Sequence, residues 1–544
     1  MSTGHQAKRP EDIRVILQDI GDPLARMPWP PTPEGLLSAS IDPIRDSGID
    51  VYAYGLHHAG GCTHDSAVYQ KIGDHIAVMH ESAGLRMHEG TNRLIEQGHD
   101  PIAVMCNGAH EAGIDFWTRM RMNDLHDRVG QYSNIEAPTK KPKIGFIEAY
   151  YYTPQWKKDH PEWLIGDPKA PAPQWSFESV EANAPNHLHA PVREMLFALA
   201  AEAVGKYDID GFEIDFMRFP FFFPHGTAWA HRRVMTAFVR KLRGMIDEEA
   251  RRRGRPIIFS ARLPGTVELS ARLGIDLRTW FAEGLLDMCV IGGGYMPFST
   301  PWEDIGSLAR ESGIPALACL NNGVMGGWAW SRSLHGVQPE PTPQHKLEQI
   351  RAAAHRAYQK GASGIELWNF FYEMPHYYSP AQEEGTHYLG YGFTRELADP
   401  ESLAGKKKAY TLDKELPARR SHASWCGQRP LMITPAVDGI GQSVTFDVAD
   451  DLAAFPEASA ELWINIVDLF PEDVIDFQWN GRPLPPREES YLGQTLYSNR
   501  EFHFDVPAEW VRRGANEFAI YLRERSPRLE PFVTLDFARL ALEP

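Results

Sequence analysis

Short apolar runs alternate with stretches of helical spacing over the first two-thirds of the chain. The runs fall at 13–20, 50–56, 114–122, 211–216, 257–262, 287–291, 316–320 and 364–369. Between them, Ile102, Met105, Ala109 and Ala112 predict a helix opened by Asp100-Pro101 and stopped by Gly113. Leu188, Val192, Leu196, Leu199 and Val204 predict a helix closed by Gly205. Ala230, Val234, Phe238, Leu242 and Ile246 predict a third, and Leu347, Ile350, Ala354 and Ala357 a fourth leading to Gly361. Strands separated by helices imply a parallel sheet, and eight such units imply a closed (β/α)8 TIM barrel. An open doubly wound sheet is disfavoured, because no Gly-rich phosphate loop follows the first run. The barrel is expected over 10–385, with a long insertion at about 123–187 that is rich in Tyr, Trp and Pro. A charged stretch, 386–428, is expected to be a linker with some barrel-end structure. Beyond it, alternating runs such as Ser443–Val448, Glu461–Ile466, Val474–Trp479 and Glu517–Leu522, with a turn at Asn480-Gly481, predict an all-β sandwich over 429–544.

The fourth run has an unusual second face. Phe212, Ile214 and Phe216 share one parity, and Glu213 and Asp215 share the other. Strand side chains alternate between faces, so a buried strand here carries two carboxylates on one side. Burying an unpaired carboxylate is costly, so such groups are paired or functional.

Other runs send polar groups to the same end. Arg119, Arg121 and Asn123 share a parity on the third run, and Ser260 and Arg262 do so on the fifth. Asn321 and Asn322 follow the seventh, and Glu366, Trp368 and Asn369 mark the eighth. Active sites of parallel barrels lie at these C-terminal strand ends. Carboxylates, arginines, amides and aromatics converging there suit glycoside chemistry, in which one carboxylic acid protonates the leaving oxygen and another carboxylate attacks or activates water.

The catalytic candidates are therefore Asp215, Glu213 and Glu366. Asp215, nearer the strand end, is the better nucleophile or base. Glu213 either tunes it or forms an ion pair with Arg119 or Arg262. The loop carboxylates Asp124, Glu148, Glu268 and Glu303 are alternatives for its partner. Candidate substrate-binding residues are Arg119, Arg121, Asn123, Arg218, Arg262, Tyr295, Asn321, Trp368 and Asn369. Tyr295 follows three glycines, 292–294, that permit close backbone approach, or simply a tight turn. Trp328 and Trp330 suit a sugar platform or a packed loop.

Composition narrows the partners. The 544 residues carry a net charge of −17, which repels phosphate backbones and argues against nucleic acid. Hydrophobic content of 43% permits a large core. No run of eighteen apolar residues predicts a membrane span, and the first residues lack the apolar core of a signal peptide, so the expected compartment is the cytoplasm. Five scattered cysteines read as reduced thiols. His57, His58, His64 and Asp65 match no metal-ligand spacing, so no metal and no cofactor are expected. The expected partner is a carbohydrate, and a homo-oligomer is compatible with the sequence.

Tyr207-Asp-Ile-Asp-Gly-Phe-Glu-Ile-Asp-Phe-Met-Arg218 resembles the strand-four signature of the glycosyl hydrolase-like 10 family of TIM-barrel glycosidases. The resemblance extends to 100–113, to His160-Pro-Glu-Trp163, to Gly274–Asp287 and to Gly361–Asn369. It implies a retaining or inverting hydrolase with carboxylates at strand ends, and places Asp215 where related α-glycosidase barrels carry their strand-four nucleophile. The C-terminal region is similar to galactose-binding-type jelly rolls, which implies either glycan binding or bracing of the barrel. A glycoside hydrolase is the first expectation. The alternatives are a non-catalytic carbohydrate-binding barrel and a lyase or isomerase of sugar acids, for which the arginines would bind a carboxylate.

Overall fold

The computed structural model describes residues 5–58, 60–74, 82–124, 153–167, 181–217, 219–322, 343–370, 389–413, 428, 431–491 and 499–544. Eight parallel strands close into a barrel: β1 Val15–Asp19, β2 Val51–Gly55, β3 Asp115–Arg121, β4 Gly211–Asp215, β5 Ile258–Leu263, β6 Met288–Ile291, β7 Ala316–Asn321 and β8 Gly364–Trp368. Each strand pairs with its sequence neighbours, and β8 closes on β1. The predicted parities hold. Phe116, Met120, Phe212, Ile214, Ile365 and Leu367 belong to the core shared with the surrounding helices. A second apolar cluster, with Ile16, Val51, Ala53, Trp117, Met288, Leu317 and Trp368, fills the barrel interior.

Local chemistry sets the element ends. Asp100 caps the helix Pro101–Glu111 by accepting from Ile102 N at 3.0 Å, and Gly113 beyond it has φ of +72°. Gly205 does not close the next helix; that helix runs Ala190–Lys206, with Gly205 inside its last turn. Gly211 opens β4. A Cβ there would meet the Trp117 indole at 2.4 Å, so only glycine lets that ring lie across the strand.

Within the long insertion, the described parts form a short helix, Gln155–Asp159, and a 3₁₀ turn, Pro161–Trp163. Lys157 is fully buried there, and its Nζ donates to Asn183 O at 3.2 Å.

The second domain is a two-sheet sandwich. One sheet runs Lys408–Thr411, Val533–Glu543, Ser459–Val467, Arg500–Val506, Glu488–Tyr491, with Leu431–Ile433 also on Val533–Glu543. The other runs Gln442–Val448, Gly514–Glu524, Val474–Trp479, Arg482–Pro483. Phe446, Phe477, Trp479 and Phe518 from one sheet and Leu462, Phe504 and Leu535 from the other share one core.

The stretch expected to link the domains is, where described, built into both. Tyr391, Phe393, Leu397 and Leu403 pack into the barrel's outer core, while Lys408–Thr411 is a strand of the sandwich. The helix Pro343–Gln359 serves both sides. Ile350, Ala353, Ala354 and Ala357 enter the barrel core, and Ala352 enters the sandwich core. Arg356 reaches across with Nε 3.2 Å from Asp447 Oδ2, and Glu348 Oε2 accepts from Arg539 Nη2 at 2.6 Å. No helix among the described residues is long and apolar enough to cross a membrane.

Candidate functional site

Strand register sorts the inward side chains into layers, with alternate strands contributing to each. The pairings Gln18↔Trp368, Trp368↔Asn321, Asp215↔Arg121 and Asp215↔Arg262 fix the order. Gln18, Arg119, Arg262 and Cys319, from the odd strands, form one layer. Below it the even strands give Ala53, Glu213, Val290 and Glu366. Above it they give Gly55, Asp215 and Trp368, with Gly292 just past the end of β6.

The side-chain contacts follow this stacking. Arg119 lies between two layers, with Nε 2.9 Å from Glu213 Oε1 and Nη2 donating to Asp215 Oδ2 at 2.6 Å. The first contact is an ion pair whose angles miss hydrogen-bond geometry. Arg262 donates to Asp215 twice, from Nε to Oδ1 at 2.8 Å and from Nη2 to Oδ2 at 2.9 Å. Its Nη1 lies 3.6 Å from Glu366 Oε1. Its guanidinium carbon sits 4.1 Å from the centre of the Trp368 ring, which meets Tyr295 edge-on at 4.8 Å. Met217 N adds a bond to Asp215 Oδ1 at 2.9 Å. Ser260 Oγ donates to Glu213 Oε2 at 3.2 Å, and Cys319 Sγ lies 3.6 Å from Glu366 Oε1.

These partners split the three buried carboxyl groups by protonation. Burial opposes ionisation of Asp215, but Arg119 and Arg262 outweigh it and hold the group below the ordinary carboxylate range. Burial pushes Glu213 up to about 8, and the charge of Glu366 adds to the effect, despite Arg119. Burial also raises Glu366, with Arg119 and Arg262 opposing. Asp215 is thus kept charged beside Glu213 and Glu366, a pair that burial raises and that resist being ionised together.

The other expected site residues go elsewhere. Arg121, the next inward residue of β3 after Arg119, pairs with Asp124 at 2.7 Å. Asn123 Nδ2 donates to Phe219 O at 2.8 Å, so it braces the loop after β4. Asn321 is buried at the end of β7, in register with Trp368. Asn369 has φ of +61°, a left-handed turn just past β8. Arg218, Glu148, Trp328 and Trp330 lie outside the described residues. Glu268 pairs with Arg272 on an exposed helix, and Glu303 lies 3.6 Å from Lys360, so neither enters the barrel interior. Ser260 and Cys319 join the network, although neither was expected as a site residue. Their parity with Arg262 and Asn321 was the available signal.

The histidines after β2 separate. His57 Nε2 bonds to Arg121 O at 3.1 Å, and His64 lies 3.9 Å from Glu202. A different cluster occupies the opposite, N-terminal end of the barrel. His5 Nε2 lies 3.0 Å from Asp115 Oδ1, and His110 Nε2 lies 2.7 Å from Asp210 Oδ2. Their atoms are close enough to suggest metal ligands. The two rings, however, stack at 4.4 Å with planes 10° apart. An ion bound at about 2.1 Å lies in the plane of each imidazole that holds it, and two near-parallel planes share no such point. The cluster instead works as a hydrogen-bonded clamp that ties the N-terminal segment to β3.

No protein-family model matches the chain, and no curated protein matches it. The resemblance to the glycosyl hydrolase-like 10 family therefore rests on the quoted motifs alone. Solved structures similar to this chain include alpha-L-fucosidase isoenzyme 2 from Paenibacillus thiaminolyticus (14% identity, 72% of this chain and 49% of that one, TM-score 0.41). Others are the PgaB (BpsB) glycoside hydrolase domain from Bordetella bronchiseptica (9% identity, 68% and 97%, TM-score 0.37) and an alpha-amylase from Lactobacillus plantarum (11% identity, 94% and 100%, TM-score 0.37). The chain spans about half the length of the fucosidase. At such identities and TM-scores these likenesses carry no argument about activity, and the barrel stands on its own strand order.

Proposed function

We propose that the chain is a glycoside hydrolase acting on an oligo- or polysaccharide, with Asp215 as its ionised catalytic carboxylate. The observation that carries this reading is the cluster of three buried carboxyl groups inside the barrel, with Asp215 gripped by Arg119 and Arg262, and Glu366 Oε1 3.6 Å from the same Arg262. Hydrolysis of an O-glycosidic bond needs one carboxylate and one carboxylic acid within reach of the same linkage. Glu366 is the proposed acid. Its Oε2 has no hydrogen-bond partner among the described residues, so a proton there can be delivered. Glu213 is assigned a positioning role, since it fixes Arg119, which in turn orients Asp215. Arg262 and Trp368 form one wall, and Tyr295 supports the indole. The sandwich is proposed to brace the barrel through the helix Pro343–Gln359.

A second reading is favoured by one specific feature. Two buried arginines face one clearly ionised carboxylate, which leaves local positive charge. That suits a substrate bearing its own carboxylate, so a lyase or isomerase of sugar acids is the alternative. Incubation of the full chain with neutral oligosaccharides and with oligouronides, followed by product analysis, separates the two. Reducing-end sugars from either panel, with water added across the bond and no unsaturated product, support hydrolysis. An unsaturated uronate or a rearranged sugar acid supports the alternative. Release of neither contradicts both.

A further inference from the structure

Gln18 is the polar side chain that β1 sends into the barrel, and it is fully buried. Neither its amide oxygen nor its amide nitrogen has a hydrogen-bond partner among the described residues. An unmet buried polar group is costly, so native interiors keep few of them. An aliphatic residue would fill the position without that cost, as Ile16 does one step below on the same face.

The surroundings give the amide something to do. Gln18 stands in register with Trp368 on β8 and with Ala53 on β2. Ala53 and Gly55 are the inward residues of β2 at this height, so the neighbouring strand adds almost no bulk. Trp368 Nε1 and Glu366 Oε2 are also buried without a hydrogen-bond partner among the described residues. Unmet donors and acceptors therefore lie on two adjacent strands, beside a strand of small residues, at the level of Asp215 and in the two layers beneath it.

We infer that Gln18, Trp368 and Glu366 form a binding subsite for adjacent hydroxyl groups of a polyhydroxylated ring. A primary amide accepts one hydrogen bond while donating another, which matches a vicinal diol. The indole N–H can only donate, and meets a hydroxyl or ring oxygen. The amide and the indole are both neutral, so the ligand that fits these two groups is uncharged. The inference rests on the proposed function only in calling the ring a sugar.

The test is thermal melting of the full-chain protein and its Gln18→Leu variant, each alone and with glucose, galactose, mannose or fucose. Leucine keeps the size and removes the amide. The expected result is a variant that melts no lower than the wild type, together with a sugar-induced rise in the wild type that the variant loses. A variant that melts lower in buffer, a sugar that stabilises both proteins equally, or a panel that shifts neither overturns the inference. Turnover is not read in this experiment. A protein that binds sugar through Gln18 yet cleaves no glycoside would keep the subsite and lose the hydrolase reading.

Discussion

Arg262 grips both oxygens of Asp215, with Nε on Oδ1 at 2.8 Å and Nη2 on Oδ2 at 2.9 Å, and both side chains are wholly buried. A planar guanidinium matches a carboxylate in this way and a lysine ammonium does not. Arg262→Met is expected to destabilise the fold by about 3–5 kcal/mol, because Asp215 would keep its buried charge with Arg119 as its remaining cation. Arg262→Lys should recover little of that loss. Urea denaturation measures both. A methionine variant as stable as the wild type would show that Arg262 does not hold the charge on Asp215.

Glu213 and Asp215 impose opposite pH slopes on stability. Glu213 titrates near 8 in the folded chain against 4.5 for a free carboxyl group. Its protonated form therefore stabilises the fold fully below 4.5, and that contribution is lost as pH rises toward 8. Asp215 is shifted down, so its contribution is present above 3.8 and is lost as pH falls through its lowered folded value. Glu213→Gln removes the first slope. Between about pH 5 and about pH 8 its urea midpoint should fall less than that of the wild type. Asp115, raised to about 7 at the other end of the barrel, affects both proteins alike and cancels in the comparison. Parallel profiles would show that Glu213 is ionised throughout.

Most of the barrel was legible because its signals are local. Alternation in Gly211–Asp215 and Asp115–Arg121 states which side chains face inward, and Asp100-Pro101 states where a helix begins. The inward placement of Glu213, Asp215, Arg119, Arg262 and Glu366 follows from parity alone. Their pairing does not. Whether Arg119 bridges Glu213 and Asp215 depends on the stagger of β3 against β4, which no single strand encodes. Cys319 and Gln18 escaped notice for the same reason, since each looks like an ordinary buried residue until the layers are aligned. In the segment 386–428 the barrel-end structure rests on Tyr391, Phe393, Leu397 and Leu403, whereas Lys408–Thr411 is too short to announce a sandwich strand. Gly205 misled because a glycine within the last helical turn is tolerated at a cost of about 1 kcal/mol.

The two domains should unfold together. Ala352 and Ala353 are neighbours on one helix, yet they belong to the sandwich core and the barrel core respectively. Arg356 donates to Thr300 O at 2.9 Å and to Asp447 at 3.2 Å, joining a barrel loop to the sandwich. Scanning calorimetry should give one transition, and Arg356→Met should lower it as a whole, with a loss of about 1.5–3 kcal/mol per charged hydrogen bond. Two transitions, of which only the later-melting one is unaffected by the substitution, would mean that the sandwich is an independent module.

The central claim is that Asp215 is the ionised carboxylate of a glycoside hydrolase, and Asp215→Asn tests it most directly. The substitution keeps the size of the side chain while removing its charge and turning one of its two acceptor oxygens into a donor. With any oligosaccharide that the wild type cleaves, the variant's kcat should fall on the order of 10²–10⁴-fold, with thermal melting still showing a folded chain. An asparagine variant that retains full turnover would contradict the account.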